Sequence, residues 1–319
     1  MTHPAGLAYA SAATLDWLLA GDPAIGWQTQ RDLLGAPVAV WRPLREQTAS
    51  AGWGARLLAL QNPDGGWGEG VYSPKWTSAT YTMLTLCDLG VPVECAPAQR
   101  GARFVLAGLL GEQRDAAFER RLATCDRCIV GMALRIAACF GVGDERVAAI
   151  VENLLAERMP DGGWNCRKHR RPLPHHSSFH TTLNVLDGLH AYLDTGRAEL
   201  AHEVRQAQQG AFELLLQHQL YRSDKTGAVI HEDWTHPSYP YRWFYDVLRG
   251  LEAFARAGAA RDPRLADPVA LLEQRRETNG RWLRGKQRSG RVFFTLEPAG
   301  PSRWNTLRAL RVLRWWNQS

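Results

Sequence analysis

The sequence predicts an all-α chain, a closed (α/α)6 toroid in which six helical hairpins place an inner ring of helices inside an outer ring, as one domain over residues 1–319. Two observations predict it. A glycine turn ending in Trp recurs at QNPDGGWG (Trp67), MPDGGWN (Trp164) and ETNGRWL (Trp282), each time after a helical run ending in Gln or Glu. Helical runs that are apolar around much of their circumference also alternate with runs that carry a more polar face. Asp-Gly and Asn-Gly favour a tight turn with positive φ, and the Trp anchors it against apolar neighbours.

In chain order, inner helices are expected to open near residues 24, 78, 126, 178, 240 and 302, and outer helices to cover about 11–20, 43–61, 97–110, 145–158, 199–219 and 265–276. SATYTMLTLCDLG from Ser78 lies over SSFHTTLNVLDGL from the Ser177–Ser178 pair at a near-constant offset. CIVGMALRIAACFG from Cys128, YRWFYDVLRGLEAF from Tyr241 and SRWNTLRALRVLRWW from Ser302 follow the same apolar pattern. Pro301 before Ser302 fits a helix start with Ser302 as its cap. Six hairpins in register favour closure over an open solenoid. The repeats lengthen after residue 200 through loops 220–240 and 283–301, and loops at one end of a barrel are where a site is built.

Composition narrows the class. At 319 residues, 45% hydrophobic and 22% charged, the chain has ample material for a large core. No run approaches the roughly 20 apolar residues of a membrane span, and the N-terminus lacks a basic head and apolar segment, so a cytoplasmic protein without a transmembrane segment is expected. The net charge of +6 comes from 38 basic against 32 acidic residues, almost all of the basic ones Arg, and is densest over Arg275–Arg314. Without a nucleic-acid motif beside it, the excess reads as a solvated exterior and no nucleic-acid partner is expected.

Six Cys residues (Cys87, Cys95, Cys125, Cys128, Cys139, Cys166) in such a chain do not read as a disulfide framework. Superposed repeats align Cys128 with His180, each in the first turn of its inner helix, so the two side chains point at one rim. Asp126 precedes Cys128 by two, and Cys166 follows the Gly-Gly-Trp turn leading to His180. Asp, Cys and neutral His are good Zn²⁺ ligands, and three protein ligands with one open position describe a catalytic site. The plain alternative is a small buried Cys and a His bonded to the backbone. His169, His175 and His176 read as loop residues.

The loop HEDWTHPSYPYRWFYD from His231 adds candidate acid–base groups, His231, Asp233 and Tyr241, with Trp234 and Trp243 as walls of an apolar pocket. Trp76, Tyr81 and Trp304 complete the candidate substrate-binding aromatics; Trp304 occupies in its repeat the place of His180.

The turns at Gln61–Trp67 and Asp161–Trp164 resemble the repeats of the squalene cyclases and protein prenyltransferase β-subunits, and the resemblance covers most of residues 50–316. Those β-subunits carry zinc on an Asp-x-Cys opening one inner helix and on the His of a His-Thr opening the next. Here Asp126-Arg127-Cys128 and His180-Thr181 are similar in order and spacing, and SATYTML around Tyr81 resembles the inner-helix start one repeat earlier. The resemblance implies the toroid, a zinc ion on Asp126, Cys128 and His180, and an apolar or isoprenoid-like substrate; Cys166, an additional candidate ligand or thiol, has no counterpart in that motif. A protein or peptide partner is also compatible with it. The chain departs from the pattern at Ser78, where a diphosphate-binding His would stand, and at Ile129, in the place of a Tyr; Arg120, Arg121 and Arg127 are the cations left nearby.

The Asp-x-Asp-Asp of class II terpene cyclases is absent, and the nearest acidic group is His231–Trp234. The toroid with Cys and His ligands is also similar to lanthionine cyclases, with weaker local matches. The leading expectation is a zinc-dependent enzyme that activates a thiol or water for transfer, addition or cyclisation. The alternatives are a metal-free terpene-cyclase-like enzyme using Asp126 or Asp233 as acid, and a non-catalytic toroid binding a lipid or protein.

Overall fold

A computed structural model describes residues 9–166 and 171–318 and is mostly helical. Its helices are α1 (Ala12–Leu19), α2 (Pro23–Asp32), α3 (Val38–Gln47), α4 (Gly52–Leu58), α5 (Ala79–Leu89), α6 (Ala96–Leu110), α7 (Ala116–Thr124), α8 (Arg127–Cys139), α9 (Glu145–Ala156), α10 (Phe179–Asp194), α11 (Ala201–Gln217), α12 (Val247–Arg256), α13 (Ala266–Gln274) and α14 (Arg303–Asn317). A minimal antiparallel pair, β1 (Trp282–Leu283) with β2 (Pro301–Ser302), closes the loop before α14. Among the described residues no helix is long and apolar enough to cross a membrane.

The three Trp turns share their bonding. The indole N–H of Trp67 donates to the Leu57 carbonyl at 2.7 Å, Trp164 to Leu154 at 2.6 Å and Trp282 to Leu272 at 2.8 Å, always ten residues back, near the end of the preceding helix. Each turn is bent by an Asp or Asn side chain accepting from the N–H two residues on (Asp64–Gly66, Asp161–Gly163, Asn279–Arg281). Gly65, Gly162 and Gly280 supply the positive φ, at +93°, +97° and +78°. The repeat seen in the sequence is therefore a repeat of hydrogen bonds. It turns two orphan groups, an indole N–H and a helix-end carbonyl, into a buried pair.

Charged side chains link the helices expected as the inner ring. Trp27 of α2 donates to the Leu89 carbonyl of α5 at 3.0 Å. Asp88 of α5 pairs with Arg135 of α8 at 2.5 Å, and Arg135 reaches Asp187 of α10 at 3.9 Å. Asp187 pairs with Arg249 of α12 at 2.7 Å, Glu252 of α12 with Arg308 of α14 at 2.6 Å, and Arg311 of α14 with Asp32 of α2 at 2.5 Å. Where α8 crosses α10, Gly131 and Gly188 face each other's backbones, and a Cβ on Gly131 would run into the Asn184 carbonyl. Arg308, inside the basic stretch Arg275–Arg314, is thus an interior residue and not part of a solvated exterior.

The boundaries depart from expectation in three places. The outer helix expected over 43–61 is broken into α3 and α4 at Gly52, whose φ is +66°, because Asp22 reaches across to the Trp53 N–H at 2.7 Å. The additional helix α7 is capped by Asp115 through the Phe118 N–H. The fifth inner helix opens at Val247 and not near 240, since Pro237 and Pro240 interrupt the run and Asp246 caps the new start through the Arg249 N–H. Residues 236–246 instead enter the interior as a loop, where the Tyr241 hydroxyl donates to Asp88 at 3.0 Å and accepts from Arg135 at 3.1 Å.

Burial pushes the Asp187 carboxyl up, but the Arg249, Arg135 and Arg256 charges outweigh it and hold it well below the ordinary carboxylate range. A depressed folded-state pKa stabilises the fold fully above the ordinary value of about 4, and that stability is lost as pH falls through the depressed value. Asp187→Asn leaves Arg249 buried without its anion and is expected to cost about 3 kcal/mol at pH 7 by urea unfolding, with the gap to the parent narrowing below about pH 4. An equal urea midpoint at pH 7 would contradict this role.

Candidate thiol and metal site

Cys166 sits at the meeting of two helix starts. The Asp161 carboxylate binds the Ser177 N–H at 2.7 Å and the Ser177 hydroxyl at 2.5 Å, and Asn165 donates to the His176 carbonyl at 2.8 Å. These bonds tie the Trp164 turn to the residues before α10 and fix where Cys166 stands. His175 and His176 lie in that loop, as expected, while His169 falls outside the described residues.

Three groups converge on the Cys166 sulfur: the Cys128 backbone N–H and the Thr181 hydroxyl each donate to it at 3.3 Å, and the Cys128 sulfur lies 3.0 Å away in a thiol–thiol hydrogen bond. Two belong to the first turn of α8, where orphan N–H groups and the helix dipole favour negative charge, and the third to the first turn of α10. The Cys128 thiol bond brings Cys166 down to about 7 against the pull of burial, and the Thr181 hydroxyl and Cys128 N–H lower it further. Cys128 moves up, because its proton is held against Cys166 and because it is buried. When the pair loses a proton, the charge falls on Cys166 and Cys128 keeps its proton.

His180 is the second residue of α10. Its Nδ1 accepts the Tyr245 backbone N–H at 2.8 Å, which places the proton of the neutral ring on Nε2. Burial, then the charges of Arg249, Arg288 and His231, holds the ring down to about 4, so it stays neutral. Trp243, Trp234 and Phe244 surround it at 5.2, 5.8 and 5.9 Å between ring centroids.

Zinc needs at least three lone pairs aimed at one point. Cys128 and Cys166 supply two soft donors, and Asp126 is the N-cap residue of α8. His180, however, spends its Nδ1 lone pair on Tyr245 and carries a proton on Nε2, which leaves nothing to ligate. Among the described residues no group of three or more His, Cys, Asp or Glu stands at ligand spacing. In this arrangement His180 does not join the two sulfurs as a third zinc ligand.

The aromatic residues separate into two groups. Trp76, Tyr81, Trp234 and Trp243 belong to a continuous wall: Tyr81–Trp76 at 4.7 Å, Trp76–Phe244 at 6.2 Å, Phe244–Trp243 at 4.0 Å, and on through His180 to Trp234. Tyr72 shares a 3.0 Å hydroxyl bond with Tyr81 and lies near enough to the thiols that, after burial, their charges help push it up to about 12. Trp304 stands apart, packed between Trp53 at 6.4 Å and Tyr239 at 4.6 Å.

Of the candidate acid–base groups, Asp233 is bound to Arg288 at 3.0 Å, which holds its carboxyl down, and exposed His231 accepts the Asp233 N–H at 3.2 Å. Tyr241 is locked into the Asp88–Arg135 pair, and burial keeps its phenol protonated. Sequence reasoning missed Asp88, Arg135 and Arg242; the first two had a signal, charges set in runs that otherwise read as wholly apolar.

No family model matches the chain, and no curated protein matches it either.

Long-range ¹H–¹⁵N spectra are expected to show His180 as the Nε2–H tautomer, neutral down to about pH 4. A proton on Nδ1, the tautomer a zinc-bound Nε2 requires, would contradict the assignment.

Proposed function

We propose that the chain is a thiol-centred enzyme on a closed α/α toroid, with Cys166 as the nucleophile and an apolar substrate held along Trp76, Trp243 and Trp234. Closure is supported by the pairings that pass from α2 through α5, α8, α10, α12 and α14 back to α2. The observation that carries the chemistry is the convergence of the Cys128 N–H, the Thr181 hydroxyl and the Cys128 sulfur on one thiol, within electrostatic reach of Tyr72, which bonds to Tyr81 at the edge of the aromatic wall.

The Cys166 sulfur adds its electron pair to an electrophilic carbon of the substrate, forming an S–C bond. In a transfer the leaving group departs with the electrons of the broken bond. In an addition the adjacent carbon takes up the charge and a proton from the Cys128 thiol, whose hydrogen bond to Cys166 is released as that sulfur is alkylated. His180 Nε2–H offers a neutral donor to a polar atom of the substrate, and the Trp243 and Trp234 rings exclude water from it.

A thiophilic ion such as zinc would compete for the same two sulfurs, so the test carries a chelator arm. Cys166 is expected to react about tenfold faster with N-octylmaleimide than with N-ethylmaleimide, the gain a few buried methylenes confer. Trp243→Ala removes the preference, and a chelator leaves both rates unchanged. Equal rates for the two reagents would sink the apolar-substrate reading, and thiols reactive only after chelation would establish a bound metal instead.

A further inference from the structure

Arg242 lies in the loop that carries Tyr239 and Tyr241 inward, with its backbone in the left-handed region at a φ of +58°. A residue with a Cβ rarely adopts that region, so the surroundings hold it there. Its half-buried guanidinium lies over the Trp76 ring, 5.4 Å from the centroid, and lines a partly open cavity with Leu57, Trp76, Thr85, Phe293 and Leu296. Arg135, Arg249 and Arg308 each have a carboxylate partner. Among the described residues, no ion pair or hydrogen bond reaches the Arg242 side chain. Burial brings it down to about 10, which still leaves it charged at neutral pH.

A cation set against an apolar wall without a direct ion pair is costly, and the neighbouring Arg135, Arg249 and Arg308 are each paired. The Thr82 and Thr85 hydroxyls donate to the carbonyls of Ser78 and Tyr81, so the cavity lining brings no anion of its own. Lys75, the other cation at Trp76, is outside the lining, caged by the rings of Tyr72, Trp76 and Trp243 at 5.1, 5.8 and 5.5 Å.

We propose that this cavity binds a carboxylate-headed amphiphile, with the carboxylate on Arg242 and the apolar tail along Trp76, Leu57 and the wall opposite. The guanidinium fork matches a carboxylate in a bidentate pair. One unpaired cation faces the space, and Asp88 lies within its electrostatic reach, which disfavours a doubly charged phosphate head.

The tail has a place only when the strap moves. The open space is about 20 Å³, room for about one water. Its roof is Val292, Phe293, Phe294 and Leu296, from a strap over residues 284–300 that has no helix or strand. Backbone bonds hold the strap, Trp76 N–H to the Arg291 carbonyl at 2.7 Å and Arg291 N–H to the Lys75 carbonyl at 3.0 Å, with an exposed Arg291–Glu69 pair at 3.0 Å. In the closed form Phe293 and Leu296 fill the volume the tail takes when the strap is displaced.

Calorimetric titration with octanoate, octanol and octyl phosphate tests the site on the full chain. Octanoate is expected to bind about tenfold tighter than octanol and tighter than octyl phosphate. Arg242→Met removes the preference for octanoate while leaving octanol binding in place, and its melting temperature without ligand is no lower than the parent's, because an uncompensated charge is gone. Phe293→Ala binds octanoate more tightly, since the strap competes less for the tail site. Octanol binding as well as octanoate, an undiminished preference in Arg242→Met, or a destabilised Arg242→Met would each overturn the proposal; tighter octyl phosphate would overturn the carboxylate assignment, and unchanged affinity in Phe293→Ala the displacement of the strap. The same titrations on Cys166→Ser keep this result separate from the thiol chemistry, which the cavity does not require.

Discussion

A buried charge needs a partner, and in this chain a run of ion pairs between helices organises much of the interior. Asp187 stands between Arg135 and Arg249, Asp88 holds Arg135 from the other side, and Glu252 and Asp32 take up Arg308 and Arg311. A buried pair gains little over a well-packed apolar contact, but breaking one strands the other charge. The pairs therefore specify which helix neighbours which, more than they add stability. Tyr241 enters this network between Asp88 and Arg135, and so draws the loop before α12 into the centre. Arg242, the next residue, arrives there without an anion, and its contrast with its neighbours makes it informative.

The Trp turns act at the other level of organisation, within a hairpin rather than between hairpins. Each indole N–H ties the turn to the end of the helix before it, and the Trp164 and Trp282 backbone N–H groups bind Thr182 and Thr306 of the next helix. A turn fixed at both ends places the residues just beyond it. Beyond Trp164 that residue is Cys166, delivered to the start of α8, where it meets the Cys128 N–H and thiol, and beside Thr181 at the start of α10.

How much of this the sequence disclosed depended on whether the interaction was local. The turns were legible because Asp-Gly and Asn-Gly determine their own geometry, and the helix starts near 24, 78, 126, 178 and 302 were legible because apolar periodicity resumes there. The start near 240 was misplaced because Tyr and Trp residues continue an apolar pattern that Pro237 and Pro240 interrupt. Cys128 and His180 were recognisable as equivalent positions. That Cys128 meets Cys166, and that His180 gives its Nδ1 to Tyr245, follows from loops 38 and 65 residues away, which no local pattern encodes. The charges of Asp88 and Arg135 read as polar interruptions of apolar helices; their partners lie on other helices, so the pairing is visible only in three dimensions.

The proposed chemistry requires Cys166 to be unlike the other five cysteines. Cys87 and Cys139 form a second coupled pair, Cys87 pushed up and Cys139 drawn down by their mutual bond, away from the aromatic wall; burial pushes Cys125 up to about 11, and the bond to Cys166 together with burial pushes Cys128 up. Substoichiometric iodoacetamide at neutral pH, followed by peptide mass spectrometry of the folded chain, measures that difference directly. Carbamidomethyl label is expected on Cys166 ahead of every other cysteine, with Cys128 labelled only after Cys166 is replaced. Label spread evenly over the accessible cysteines, or appearing first on Cys128, would contradict a Cys166 nucleophile.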